Sequence, residues 1–66
     1  VNVTVNGDKK EIPDGMSLMD YLLLCELSPA RVVIELNGVI TERSLWSETV
    51  ICEGDTLEII NFMGGG

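Results

Sequence analysis

The 66-residue sequence contains no histidine. That absence removes the commonest metal ligand and the commonest general base together. Cysteine is also scarce. Cys25 and Cys52 are the only two, and they form no Cys-x-x-Cys pair, which argues against a zinc site and against the dense disulfide framework of small secreted domains. Cys25 falls in a leucine-rich stretch, where a thiol is expected to act as a small buried hydrophobe, and a structural role is expected for Cys52 as well. Basic residues number four against eleven acidic ones, for a net charge of -7. Such a field repels nucleic acid phosphates and anionic lipid, so no nucleic acid and no membrane partner is expected, and the expected partners carry basic surfaces. Long apolar runs are missing too. The longest, Tyr21 to Cys25, falls far short of the ~20 residues needed to cross a bilayer. With no charged-then-apolar opening of the secretory kind, the expected location is cytoplasmic.

What remains is enough for one small fold. Apolar residues make up 45% and charged residues 23%, a balance that favours a packed core over disorder. A domain of this size buries only about 60% of its unfolded surface, so its stability is marginal. A catalytic cleft with paired carboxylates has little room here, and Glu53, Asp55 and Glu58 read most simply as a solvated face.

Periodicity places the elements. Val1-Asn2-Val3-Thr4-Val5-Asn6 alternates strictly, which predicts a strand with its valines on one buried face. Asn6-Gly7-Asp8 tolerates positive φ, and a second strand from Lys9 to Ile12 completes a hairpin. Pro13-Asp14-Gly15 ends it. Ser17 with Asp20 three residues on forms a capping box. The helix it opens carries Leu18, Leu22 and Cys25 on one face and Met19, Leu23 and Leu27 beside them, with Leu23 or Leu24 near the surface, and stops at Ser28-Pro29-Ala30. Val32 to Leu36 is β-branched and strand-like, Asn37-Gly38 is a turn, and Val39-Ile40 continues beyond it. Ser44-Leu45-Trp46 predicts a turn or single helical turn, Thr49 to Ile51 a short strand, Glu53-Gly54-Asp55 a tight turn, and Thr56 to Met63 the last strand. A hairpin, one crossing helix and returning strands predict an α+β chain of the β-grasp (ubiquitin-like) class, a mixed sheet of four to five strands gripping one helix. Its first and last strands should lie parallel, side by side. The domain is expected to span residues 1–63 and a glycine tail residues 64–66.

The tail carries the functional reading. Gly64, Gly65 and Gly66 come directly after the apolar run Leu57 to Met63. Residues without Cβ enter channels closed to any other residue. Either the carboxylate of Gly66 is itself the reactive group, or the three glycines are a frayed terminus or cloning scar. The preceding strand has apolar residues on both faces, Leu57 and Ile59 on one and Ile60 and Phe62 on the other. Either it is buried on both sides, or Ile60, Phe62 and Met63 present a patch that docks on a partner and delivers the tail.

At Asn37-Gly38, Ile40, Arg43-Ser44, Trp46, Glu48-Thr49-Val50, Gly54-Asp55, Leu57-Glu58-Ile59-Ile60, Phe62 and the glycine tail, the chain resembles the ThiS family, the sulfur carriers of thiamine thiazole synthesis. Val3 to Gly7, Pro13-Asp14-Gly15 and the leucine-rich helix agree with it. Departures are Glu42 at a position often proline, and Val39 and Leu45 at positions often acidic. The resemblance implies a protein cosubstrate rather than an enzyme, with no catalytic residues and no permanently bound cofactor. An adenylating enzyme of the ubiquitin-activating kind would use ATP and magnesium to activate the Gly66 carboxylate. A persulfide sulfur donor would convert it to a thiocarboxylate, and thiazole synthase would take the sulfur. Gly64 and Gly65 would be the thread, and the carrier alone would be a monomer. Arg43 and Trp46 are expected to be a packing pair without chemistry.

Four other readings share these features. A molybdopterin-synthase-type sulfur carrier has the same fold and a Gly-Gly end, and the Arg43 to Trp46 element favours the thiamine family over it. A ubiquitin-like protein modifier would spend the same activated carbonyl on a lysine. A small binding module would have an inert tail, and a dithiol redox protein would use Cys25 and Cys52.

Overall fold

Five strands and one helix form the framework of the computed structural model, which describes residues 1–62. Strand β1 (Asn2–Val5) turns at Asn6 and Gly7, both at positive φ (50° and 85°), into the antiparallel strand β2 (Asp8–Glu11). A two-residue turn of this handedness matches the twist of the strands it joins. The alternation is realised: Val3 and Val5 are buried, while β2 is exposed throughout.

Helix α1 (Leu18–Leu24) starts at the expected capping box. The Ser17 Oγ accepts from the Asp20 N–H at 3.0 Å, and the Asp20 carboxylate accepts from the Ser17 N–H at 3.3 Å. Two free donors of the first turn are thereby satisfied. Leu18, Tyr21 and Leu22 are its buried face. The helix ends earlier than the sequence suggests. Cys25 caps it and Glu26 takes a left-handed φ of 59°, so the chain turns off before Ser28-Pro29-Ala30 is reached. Residues 29–31 accordingly form a separate 3₁₀ turn. The early stop corrects one expectation: Cys25 is exposed rather than buried, because it sits at the cap instead of on the continued apolar face. Leu23 and Leu24, of which the sequence places one or other near the surface, are both exposed.

Strand β3 (Val32–Leu36), a turn at Asn37 (φ 53°) and Gly38, and strand β4 (Val39–Thr41) form the second hairpin. A 3₁₀ turn comes next at Arg43–Leu45. Thr49 to Ile51 does not make the expected strand. Only Val50 pairs, in an isolated bridge to Ser17, because this stretch crosses the start of α1 instead of joining the sheet. Cys52, expected to be structural, is exposed with its thiol 3.5 Å from the Val50 carbonyl. Strand β5 (Thr56–Asn61) is the last, shorter than the run to Met63.

The strand order is β2-β1-β5-β3-β4. β5 is the middle strand, parallel to β1 (Val5 beside Leu57) and antiparallel to β3 (Ile34 beside Ile59). One face grips α1, which is the β-grasp arrangement. The core consists of Val3, Val5, Ile12, Leu18, Tyr21, Leu22, Val32, Ile34, Trp46, Ile51 and Leu57. Trp46 fills it from the loop side, its indole N–H donating to the Thr41 carbonyl at 2.9 Å. Arg43 is exposed and meets Trp46 through backbone, the Trp46 N–H on the Arg43 carbonyl at 3.1 Å. No helix among the described residues is long and apolar enough to cross a membrane.

Candidate functional site

Strand β5 is the final described strand, and its residues sort by face. Leu57 is fully buried and Ile59 half-buried against the helix side, opposite Leu36 and Ile34. Glu58 and Ile60 point away, opposite Glu35 and Val33. Alternation carries Phe62 to the same outer face, and its N–H reaches the Arg31 carbonyl at 2.6 Å, one hydrogen bond beyond the strand. Ile60 is 47% and Phe62 53% exposed. Of the two readings of this strand, burial on both sides is excluded. The outer face is open and apolar near the strand's end, with Ile40 on β4, opposite Glu35, 65% exposed beside it.

The two edges of β5 are held differently. On the β3 side, main-chain pairing runs from Leu57 to Asn61. On the β1 side it runs out. The Thr4 N–H bonds the Asp55 carbonyl at 2.9 Å and the Asn6 N–H the Leu57 carbonyl at 2.8 Å, and then β1 has turned away. The Asn6 side chain takes over. Its Oδ1 accepts from the Ile59 N–H at 2.7 Å and its Nδ2 donates to the Ile59 carbonyl at 3.2 Å. A side-chain amide thus imitates one more strand residue.

The start of β5 is braced in the same manner. Asn37 Oδ1 accepts from the Thr56 N–H at 2.9 Å, and Asn37 Nδ2 donates to Asp55 Oδ1 at 3.0 Å. Asp55 Oδ2 accepts from the Cys52 N–H at 2.8 Å, and Glu53 accepts from the Asn2 N–H at 2.9 Å. Glu53 and Asp55, expected to be solvated face, therefore organise the turn into β5. Glu58 is the one of the three that remains purely surface. The sequence marks Asn6 and Asn37 only as turn residues. Their second task depends on each turn abutting β5, a long-range contact invisible in local spacing.

Ile60 and Phe62 lie on this outer face, while Met63, Gly64, Gly65 and Gly66 fall outside the described residues. No group of three or more Cys, Asp and Glu among the described residues is clustered as a metal ion would require. A broad groove over β1 and β2, lined by Asn2, Thr4, Lys9, Lys10 and Glu53 among the described residues, is open to solvent and does not include Ile60 or Phe62.

Known proteins agree with this architecture. The chain is 33% identical over 63 residues to the sulfur carrier protein ThiS of Bacillus subtilis, covering 94% of this chain and 96% of that one. It is 27% identical over all 66 residues to a thiazole synthase of Magnetococcus marinus, of whose length it spans only 20%. The crystal structure of a thiamine biosynthesis protein (ThiS) from Geobacter metallireducens superposes with a TM-score of 0.83 at 33% identity, over the whole of both chains. The model of the ThiS family matches residues 3–66. With the β-grasp sheet, the braced central strand and these likenesses together, the chain belongs to the ThiS family.

Proposed function

We propose that this chain is a sulfur carrier for thiamine biosynthesis, a cosubstrate that presents the Gly66 carboxylate to other proteins. The observation that supports it is the build of β5. The strand nearest the glycines is fastened on both edges as far as Ile59 and carries exposed Ile60 and Phe62 just before them. A body with that construction can aim the glycines at a partner.

The chemistry explains why a bare carboxylate needs partners. Its oxygen is a poor leaving group, so sulfur cannot displace it directly. An adenylating enzyme with ATP and magnesium joins a Gly66 oxygen to the α-phosphorus and releases pyrophosphate. The outer sulfur of a persulfide then attacks the carbonyl carbon and expels AMP, giving an acyl disulfide. A thiol attacks the donor-side sulfur of that disulfide, so a new disulfide leaves and the thiocarboxylate remains. Thiazole synthase accepts its sulfur. The activated carbonyl must be kept from water, and Gly64 and Gly65 allow it to be buried in a narrow site because nothing projects from their Cα atoms.

Intact-mass spectrometry tests the reading. Incubation with the adenylating enzyme, ATP, magnesium and a persulfide donor is expected to replace one oxygen of the chain by one sulfur. Appending one alanine after Gly66 is expected to abolish the change. Loading of the extended chain would overturn the proposal.

A further inference from the structure

The centre of the sheet's outer face holds an arrangement the fold does not need. Glu35 on β3 and Glu58 on β5 are direct cross-strand partners. Their Cβ atoms stand about 5 Å apart on one face, where like charges destabilise a sheet. The carboxylates hydrogen-bonded among the described residues are those of Asp20, Glu53 and Asp55, and this pair is not among them. Apolar side chains adjoin it: Ile40 beyond Glu35, and Val33 opposite Ile60 one row nearer the chain's end. An apolar patch around two uncompensated anions is complementary to an apolar surface bearing a cation.

We propose that the outer face of the sheet is the docking surface for thiazole synthase, and that the synthase sets a lysine or arginine side chain between Glu35 and Glu58 while apolar side chains cover Ile40, Ile60 and Phe62. The inference rests on the carrier reading above. The choice of occupant comes from the Magnetococcus thiazole synthase, in which one segment resembles this entire chain. A carrier-like unit and a synthase within one polypeptide meet at the high effective concentration that a tether enforces, so contact between the two bodies is the expected arrangement. Seating the cation relieves the repulsion between the two carboxylates. The pair is thus worth more in the complex than in the free carrier.

The test is calorimetric titration of thiazole synthase with the whole carrier and with E35Q/E58Q, at low and high salt. The amides keep the shape of both side chains and remove the charge, so the free variant is expected to melt no lower than the parent. Its Kd for the synthase should rise at least about tenfold, with a flatter dependence on salt. I60S is expected to weaken binding while leaving the salt dependence as it was. Unchanged affinity of E35Q/E58Q would overturn the proposal, and so would weakened binding to the adenylating enzyme with the synthase unaffected. Sulfur loading, read by mass, keeps the two claims apart. If the carrier loads and donates sulfur but the glutamates are indifferent, the docking surface fails alone. If the parent neither loads nor binds the synthase, the carrier reading fails and takes this inference with it.

Discussion

Single side chains do more here than their positions in the sequence disclose. Asn6 serves a turn at φ 50° and also completes the β1 edge of β5. Replacing it with glycine keeps the turn geometry and deletes both bonds to Ile59. The expected loss is about 1 kcal/mol in urea unfolding, with faster hydrogen exchange at the Ile59 amide. Trp46 reads in the sequence as part of a short turn and as a packing partner of Arg43, yet it is one of the largest fully buried side chains, set in the core rather than against the Arg43 side chain. Trp46→Phe should cost about 2–3 kcal/mol, from the void and the orphaned Thr41 carbonyl, seen as a lower urea midpoint at unchanged slope. Tyr21 shows what burial does to a titrating group. Desolvation first, and the Cys25 thiol beside it second, push the phenol from 10.0 up to about 12. The folded state therefore holds this proton more tightly than the unfolded one. Its contribution is complete below pH 10 and is lost as pH rises towards 12. Alkaline unfolding of Tyr21→Phe should lack that component.

The elements are unevenly legible, and the reason is range. Whatever depends on neighbours in sequence is readable: the valine alternation of β1, the turns at Asn6-Gly7 and Asn37-Gly38, and the capping box at Ser17 and Asp20. Beyond the parallel pairing of the first and last strands, what depends on tertiary partners is less so. Helix α1 reads as longer because Cys25, Leu27 and their neighbours suit a helix, and the left-handed Glu26 that stops it has no local signature. Thr49 to Ile51 reads as a strand because β-branched residues suit one, but no strand partner is in reach. Both kinds of feature can be probed. Ser17→Ala should lose about 1 kcal/mol through the broken cap. Glu26→Gly should gain up to about 1 kcal/mol, since glycine accepts a φ of 59° without the Cβ penalty. Thermal melts of the two variants moving in opposite directions would bear this out.

At the scale of the whole molecule, charge is the most legible property and the docking face the least. A net charge of -7 comes from counting, whereas the meeting of Glu35 with Glu58 requires the register of β3 against β5. The charge should steer association with a basic partner. Stopped-flow association rates are expected to fall several-fold between low and physiological salt, and rates indifferent to salt would contradict it. The strand order carries a separate consequence for biosynthesis. The last strand in the sequence is the middle of the sheet, so the two hairpins have no strand to join them into one sheet until β5 has been made. A nascent chain cut short before Thr56 is two disconnected halves with an open core. Such a chain is expected to lack a stable native state and to be cut readily in limited proteolysis, so premature termination should leave behind no stable decoy that occupies the partners to no purpose.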